Sequence, residues 1–255
     1  MSSSAVVEAL LTARLSGEKL TAYPGPVPRT MAEAFAIQSA VRDRLGWRHV
    51  GWKIGCTSEK AQKALKADGP FPGPVYAERL YRSGDHVPTL ASNSRTTEPE
   101  FAFTLGRDLP ARGKDYSVDE VLAAVASVHP AIEIVNPRLP GGFSDPVAWY
   151  VADGGLSHAL VLGEGVPPLP REAYARAPAT VTVNGAFKSK GIGANALGGP
   201  ERALTWLAND LIAKGTQLRA SDVVTTGVVT DVFDTELGDR IEVGLEGIGR
   251  VVAQL

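Results

Sequence analysis

The sequence predicts an α+β fold in which a mixed β roll or barrel-like sheet is flanked by helices. Three observations lead to this fold class. Helical patterns dominate the first half of the chain, and β-hairpin patterns dominate the part after residue 150. Strands and helices do not alternate regularly, which argues against a doubly wound parallel sheet. No internal repeat is present, so a solenoid or propeller is not indicated.

The chain begins with two predicted helices and a strand. Apolar residues recur at helical spacing over 4–16, and Gly17 follows as a stop. The next helix begins after Thr30, which with Glu33 three residues later predicts a capping box. The stretch "HVGWKIGC" (49–56) is typical of a strand.

The middle of the chain mixes short elements with Pro/Gly-rich connections. A solvated helix capped by Ser58 is followed by a Pro/Gly loop that ends as a short strand at "VYAERL". "PEFAFTLG" is the next strand, and "SVDEVLAAVASV" reads as a helix whose capping box is Ser117 and Glu120. "PAIEIVNPRLPGG" (130–142) is then a strand closed by a loop.

The last hundred residues are mainly strands and hairpins. Asn184-Gly185 lies between two alternating runs, which is a strong hairpin signal. An amphipathic helix follows at 200–215, and "DVVTTGVV" (222–229) is an apolar strand. We predict a strand at 158–163 and a final hairpin over 239–255.

Composition narrows the class of partner. The chain has 255 residues, 44% of them hydrophobic, and a net charge of −2 without a basic block. Nucleic acid and anionic membrane are therefore not expected as partners. The single cysteine, Cys56, excludes a disulfide framework within the chain, and "MSSSAVVEALLTARLSG" has no leader pattern. We expect a cytoplasmic protein.

Two glutamates open the strand "TEPEFAF". Side chains alternate along a strand, so Glu98 and Glu100 share one face while Phe101 and Phe103 share the other, core-facing side. A third glutamate, Glu133, lies among apolar residues, where an unpaired ionised carboxylate would be very costly. Oxygen-only ligands with open positions suit Mg²⁺ or Mn²⁺. The alternative is that these glutamates simply face water.

Lys53 raises a similar question. It lies in a short strand between Trp52 and Ile54, where it could face outward or be desolvated and serve acid–base chemistry or hold an anion. Cys56 has no readable histidine partner and is interpreted as a small packing residue.

From about Gly51 to the C-terminus, the chain resembles the 2-keto-4-pentenoate hydratase family of the fumarylacetoacetate hydrolase superfamily. The stretches that carry the resemblance occur in order: "GWKIGCTS", "TEPEFAFTLGRDLP", "PAIEIV", "VADGG", "SKGIGANALGGPERALTWLAND", "LRASDVVTTG" and "GDRIEVGLEGIGRV". By its length the chain could be one large domain, or one domain with a helical N-terminal extension. We predict the second arrangement, with the extension at 1–48 and a hydratase-like catalytic domain at 49–255.

The resemblance also implies a site. One Mg²⁺ or Mn²⁺ would be chelated by a Glu-x-Glu pair and a later glutamate, which match Glu98, Glu100 and Glu133. Lys53 would lie at the substrate and act in proton transfer or carboxylate binding. The residues expected to line the substrate pocket are Asp153, Ser189, Gly191, Thr225, Thr226 and Gly227. We also expect the loops at 136–150 and 228–236 to build this pocket.

Two positions depart from the family pattern. The hydratases usually carry Ala-Asp where this chain has Ala77-Glu78, so Glu78 is the expected catalytic carboxylate, one methylene longer. The family's "V-A-D-N" reads "VADG" here, so Gly154 replaces an asparagine.

The implied activity is a hydro-lyase reaction that adds water to a 2-hydroxy-2,4-dienoate, the enol of a 2-keto acid, in the breakdown of aromatic compounds. The alternatives are decarboxylation of a 2-keto-3-enedioate, C–C hydrolysis of an acylpyruvate, and keto-acid tautomerisation. A non-enzymatic keto-acid-binding or assembly subunit also stays open. The resemblance implies a homo-oligomer, with a paralogous decarboxylase as a further partner.

Overall fold

The computed structural model describes residues 3–255; Met1 and Ser2, the start of the stretch without a leader pattern, lie outside the described residues. The helices are α1 (Ser3–Ser16), α2 (Met31–Leu45), α3 (Glu59–Leu65), α4 (Val118–Leu122), α5 (Val147–Ala152), α6 (Arg171–Tyr174) and α7 (Pro200–Ala213). The strands are β1 (His49–Gly55), β2 (Phe71–Tyr76), β3 (Leu80–Arg82), β4 (Thr96–Leu105), β5 (Val125–Val135), β6 (Ser157–Leu162), β7 (Pro178–Val183), β8 (Ala186–Ile192), β9 (Val223–Val228), β10 (Phe233–Asp234), β11 (Arg240–Leu245) and β12 (Gly249–Gln254).

The strands form two sheets, and the fold is α+β as predicted. The larger sheet has the order β2-β1-β9-β4-β5-β6-β3, with β10 paired to β4, and it curls into a half-barrel. It is mixed because β1 pairs with β9 and β3 with β6 in parallel, while its other pairs are antiparallel. The smaller sheet is antiparallel in the order β12-β11-β7-β8.

The two larger hydrophobic clusters of the described residues hold these layers together. The first contains Phe101 and Phe103 on the predicted core face of β4, together with residues of α7 and the smaller sheet. The second joins α1 and α2 to Phe71, Val135 and Trp149. The domain boundary predicted near residue 48 lies in the connection between α2 and β1. The two helices before this boundary pack in the same hydrophobic cluster as residues after it.

Most predicted elements are confirmed, and three details differ. The stretch 69–74, expected to be a loop, contains most of β2, which pairs with β1 at the edge of the larger sheet, and the strand expected over 75–80 is interrupted by the 3₁₀ turn Ala77–Arg79. Proline is tolerated at such an edge because one side of the strand needs no hydrogen bonds. The helix expected over 117–128 stops at Leu122, and residues from Val125 onward belong to β5. Thr30 caps α2, but the Glu33 carboxylate accepts from Arg29 N rather than from Thr30.

Across residues 3–255, every helix is too short or too polar to cross a membrane.

Candidate active site

The three predicted metal-binding glutamates converge inside the half-barrel. Glu98 on β4 lies directly opposite Glu133 on β5 in the antiparallel register, and Glu100 lies two residues further along β4. One carboxylate oxygen from each of the three lies within 4.8 Å of the others. Glu100 and Glu133 are buried, and Glu98 is partly exposed. The face of β4 opposite its aromatic, core-facing side is therefore also buried inside the protein.

Lys53 on β1 reaches the same cluster. Its Nζ lies 3.1 Å from Glu133 Oε2, and both side chains are almost completely buried. The aliphatic part of Lys53 runs between two glycines: a Cβ on Gly73 would lie 3.2 Å from Lys53 Cδ, and one on Gly155 would lie 3.0 Å from it. These glycines leave a narrow slot that directs the ammonium group towards the carboxylates.

The charges in the cluster do not balance. Burial disfavours the Lys53 ammonium, but Glu133, Glu98 and Glu100 outweigh that effect and raise the lysine pKa. Burial, with a contribution from Glu98, raises the pKa of Glu133 to about 7 although Lys53 opposes the shift. Burial and then the charges of Glu133 and Glu98 raise the pKa of Glu100. Three carboxylates thus face one ammonium, and the site favours a further cation.

The unpartnered oxygens fit a divalent cation. Glu100 Oε1 and Glu133 Oε1 are buried and have no hydrogen-bond partner in the described part of the chain. Buried polar atoms of this kind normally have a partner, which includes a bound ion. The donor set is oxygen only, as Mg²⁺ and Mn²⁺ prefer.

Gly227 holds Glu100 in place. Its N–H donates to Glu100 Oε2 at 2.7 Å, so one oxygen of this glutamate is fixed by backbone. The glycine has φ +94°, and a Cβ there would lie 1.8 Å from Thr57 Oγ1.

We expect Gly227→Ala to destabilise the protein by about 3 kcal/mol or more, because the new methyl group overlaps Thr57 in a backbone region that disfavours side chains. Urea unfolding measures this loss. The matched control is Gly247→Ala, where φ is +77° but no atom lies within 4 Å of the added Cβ. That control should lose only about 1–2 kcal/mol from backbone strain. Equal losses in both variants would contradict the packing argument.

The other predicted pocket residues lie in different local environments. Thr225 lies opposite Ala102 on β4, and its buried Oγ1 has no partner among residues 3–255. Thr226 donates to the carbonyl of Phe101 at 3.2 Å. Ser189 is buried on β8, and its Oγ has no hydrogen-bond partner in the part of the chain that the structure describes. At Gly191 a Cβ would lie 1.9 Å from Val229 O, so this glycine permits close packing of β8 against the chain after β9.

Glu78 and Asp153 do not reach the glutamate cluster. Glu78 lies in the 3₁₀ turn Ala77–Arg79, is exposed, and accepts from Arg48 N with both oxygens at 3.1 and 3.0 Å. Asp153 is buried and pairs with Arg14 and Arg138. Neither side chain lines the cavity beside the cluster, so their placement gives no support to the catalytic and substrate-binding roles expected of them.

A cavity of about 470 Å³ opens beside Lys53 and Glu98. The loops predicted at 136–150 and 228–236 both contribute to it, the first through Phe143 and Tyr150. Helix α3 forms another wall that sequence reasoning missed. Its lining residues Ala61, Ala64 and Leu65 follow helical i, i+3, i+4 spacing, which was the available signal. Among the predicted pocket residues, Gly227 is the one that lines this cavity.

Comparison with known proteins agrees with this fold. Residues 61–255 match the fumarylacetoacetate (FAA) hydrolase C-terminal family. A 2-keto-4-pentenoate hydratase of Burkholderia vietnamiensis is 35% identical over 227 residues, which are 86% of this chain and 84% of the relative. One from Paraburkholderia xenovorans is 32% identical over 249 residues, 96% of this chain and 91% of the relative.

A solved structure shares the whole fold. The 4-oxalocrotonate decarboxylase of Pseudomonas putida G7, complexed with magnesium and adipate, superposes with a TM-score of 0.88 at 24% identity, covering 99% of this chain and 96% of that one. The match to the family over most of the chain, with hydratase relatives above 30% identity, leads to one conclusion: this protein belongs to the fumarylacetoacetate hydrolase C-terminal family.

Proposed function

We propose that this protein is a divalent-metal-dependent hydro-lyase that adds water to a 2-hydroxy-2,4-dienoate. The observation that carries the proposal is the convergence of Glu98, Glu100 and Glu133 beside Lys53, with buried carboxylate oxygens that have no hydrogen-bond partner among the described residues. The hydratase names of relatives at 32–35% identity support the same reaction.

The three glutamates would hold Mg²⁺ or Mn²⁺. When bound, the cation supplies Lewis-acid stabilisation of negative charge that develops on an enolate. The Lys53 ammonium lies 3.1 Å from Glu133 at the edge of this cluster, where it can donate a proton to the substrate or anchor its carboxylate. In the overall reaction the dienol becomes a 2-keto-3-enoate. The oxygen of water then bonds to the distal alkene carbon, and a proton goes to the carbon next to the ketone.

The cavity favours a substrate with an uncharged tail. Its walls beyond the carboxylates are largely apolar and include Phe71, Leu156 and Val232. Its lysines are Lys53, already paired with Glu133, and Lys60, which lies 3.9 Å from Asp231. Asp234 adds another carboxylate to the lining. A second carboxylate on the substrate would meet these acids, which disfavours a 2-keto-3-enedioate and hence the decarboxylase alternative.

Product analysis tests the proposal. The enzyme with Mg²⁺ should convert 2-hydroxypenta-2,4-dienoate to a hydroxylated 2-keto acid, detected by NMR. It should release little carbon dioxide from a 2-keto-3-enedioate; the opposite preference would establish the decarboxylase. Hydrolysis of an acylpyruvate ranks third, because no histidine of the described chain lines the cavity.

A keto-acid-binding subunit without turnover is the non-enzymatic alternative. Oxalate or pyruvate should raise the melting temperature in the presence of Mg²⁺ and not in its absence. Such a shift together with absent turnover of both test substrates would favour the binding subunit. We retain the predicted homo-oligomer, and assembly with a paralogous decarboxylase, within the proposal; sedimentation velocity, alone and with that partner, tests them.

A further inference from the structure

The departure from the family pattern at Gly154 has a structural counterpart. Gly154 has φ +68°, and a Cβ built on it would lie 2.6 Å from one guanidinium nitrogen of Arg14. The guanidinium therefore occupies the space that the side chain of an asparagine at this position would need. Arg14 belongs to α1, 140 positions away in the sequence and outside the 61–255 family match.

Arg14 is buried against the chain around Gly154. It is 3% exposed, and its guanidinium donates to Asp153 O at 2.8 Å and Ser157 O at 3.2 Å. Arg138 binds the same two residues, through Asp153 Oδ1 at 3.2 Å and Ser157 O at 2.9 Å. Two guanidinium groups thus hold both ends of the five-residue turn Asp153–Ser157.

This turn has little intrinsic preference for its conformation. Gly154, Gly155 and Leu156 follow one another with positive φ values of 68°, 69° and 62°. A leucine in the left-handed region is unfavourable, and glycines lose much conformational freedom when they are ordered. The turn keeps its shape because outside contacts impose it, and the side chain of Arg14 supplies two of them.

The other side of the turn faces the active site. Gly155 and Leu156 line the cavity, and Gly155 packs against the aliphatic part of Lys53. Gly73, the other side of the lysine slot, is itself in close contact with the turn: a Cβ on it would lie 2.5 Å from Gly154 O. A shift of the turn would therefore move both walls that direct Lys53 towards Glu133.

We propose that Arg14 is a positioning residue for Lys53. Its guanidinium fills the place of the asparagine side chain of the family pattern and fixes the turn Asp153–Ser157, which forms the slot of the lysine. The inference rests on the proposed function. It makes helix α1 a part of the active-site structure rather than a separate extension.

The test compares Arg14→Ala, Gly154→Asn and the double variant Arg14→Ala/Gly154→Asn, all saturated with Mg²⁺ and assayed well below their melting temperatures. Arg14→Ala should lower kcat for the dienoate by about tenfold or more, since small displacements of a reacting group are costly. The KM should change by less than about twofold. Gly154→Asn alone should also lose kcat because it displaces Arg14. The double variant should regain kcat relative to Arg14→Ala, because the amide then has room.

Two further variants distinguish a positioning role of Arg14 from a general contribution of this side chain to the stability of the fold. Arg14→Ala/Gly154→Ala adds the Cβ without the amide and should not regain kcat. Arg44→Ala removes the exposed ion pair between Arg44 of α2 and Glu8 of α1, so it removes a contact of α1 without touching the turn. It should keep the wild-type kcat. If Arg14→Ala does not fold, Arg14→Lys replaces it, and a reduced kcat is expected because an ammonium cannot reproduce the planar guanidinium contacts.

Wild-type kcat in the Arg14 variant, or no gain in the double variant over Arg14→Ala/Gly154→Ala, would overturn the inference. Failure of the proposed function has a different signature, since the wild type itself would not turn over the dienoate. In that case amide hydrogen exchange tests the positioning role of Arg14. Arg14→Ala should speed amide exchange at 153–157 and in β1, whereas Arg44→Ala should not; unchanged exchange in the Arg14 variant would overturn the positioning role.

Discussion

Replacing Glu133 with glutamine should abolish metal-dependent turnover of the dienoate, with a loss of about 100-fold or more. Glutamine keeps the shape of the side chain but removes one of the three negative charges that converge within 4.8 Å. Loss of several kcal/mol of charge stabilisation at an enolate corresponds to a rate loss of this size. The rise in melting temperature on adding Mg²⁺ should shrink as well, because two carboxylates remain where three were present.

The measurement pairs dienoate turnover with thermal unfolding, each with and without Mg²⁺. Glu78→Gln is the matched control, since it makes the same chemical change on an exposed side chain that binds Arg48 N. It should retain activity within about twofold of the wild type. A large loss in Glu78→Gln would support the catalytic role expected of this residue from the sequence. Full activity in Glu133→Gln, or in enzyme treated with EDTA, would contradict the proposed metal dependence.

Local sequence rules predict which face of its strand each glutamate occupies. They do not predict that the three side chains converge in space. Alternation along β4 predicts the shared face of Glu98 and Glu100, and burial cost singles out Glu133. That Glu133 lies directly opposite Glu98 depends on the pairing of β4 with β5, which local patterns do not specify. The family resemblance provided that link, because it aligned all three glutamates with one metal site.

Elsewhere the features that local patterns did not predict depend on position in the fold. The prolines of β2 indicated a loop, yet they lie in an edge strand, where a missing N–H is tolerated. Asp153 lies in a matching family stretch, but its partner Arg14 is 139 residues away, so no local pattern could show that the pair is buried. Glu78 lies in a 3₁₀ turn, where the alternation of a strand no longer determines which way the carboxylate points.

Lys53→Met should separate catalysis from metal binding. Turnover should fall by about 10²–10⁴-fold, the usual contribution of a positioned proton donor or acceptor. Mg²⁺ binding should be as tight as in the wild type or tighter, because the ammonium 3.1 Å from Glu133 competes with a cation for the same carboxylate. Methionine is chosen because its unbranched side chain fits between Gly73 and Gly155 without the charge.

Titration calorimetry with Mg²⁺ and a stopped-flow dienoate assay measure the two effects on the same preparations. Lys60→Met is the control, since it removes an exposed ammonium that lines the cavity but is paired with Asp231 rather than with a glutamate of the cluster. It should change neither quantity by more than about twofold. Weaker Mg²⁺ binding in Lys53→Met would mean that the lysine supports the shape of the glutamate cluster. Retained turnover would mean that proton transfer and carboxylate anchoring are done elsewhere. A defect in folding would lower both quantities together, so turnover that falls while metal affinity is kept or rises supports a role of Lys53 at the substrate.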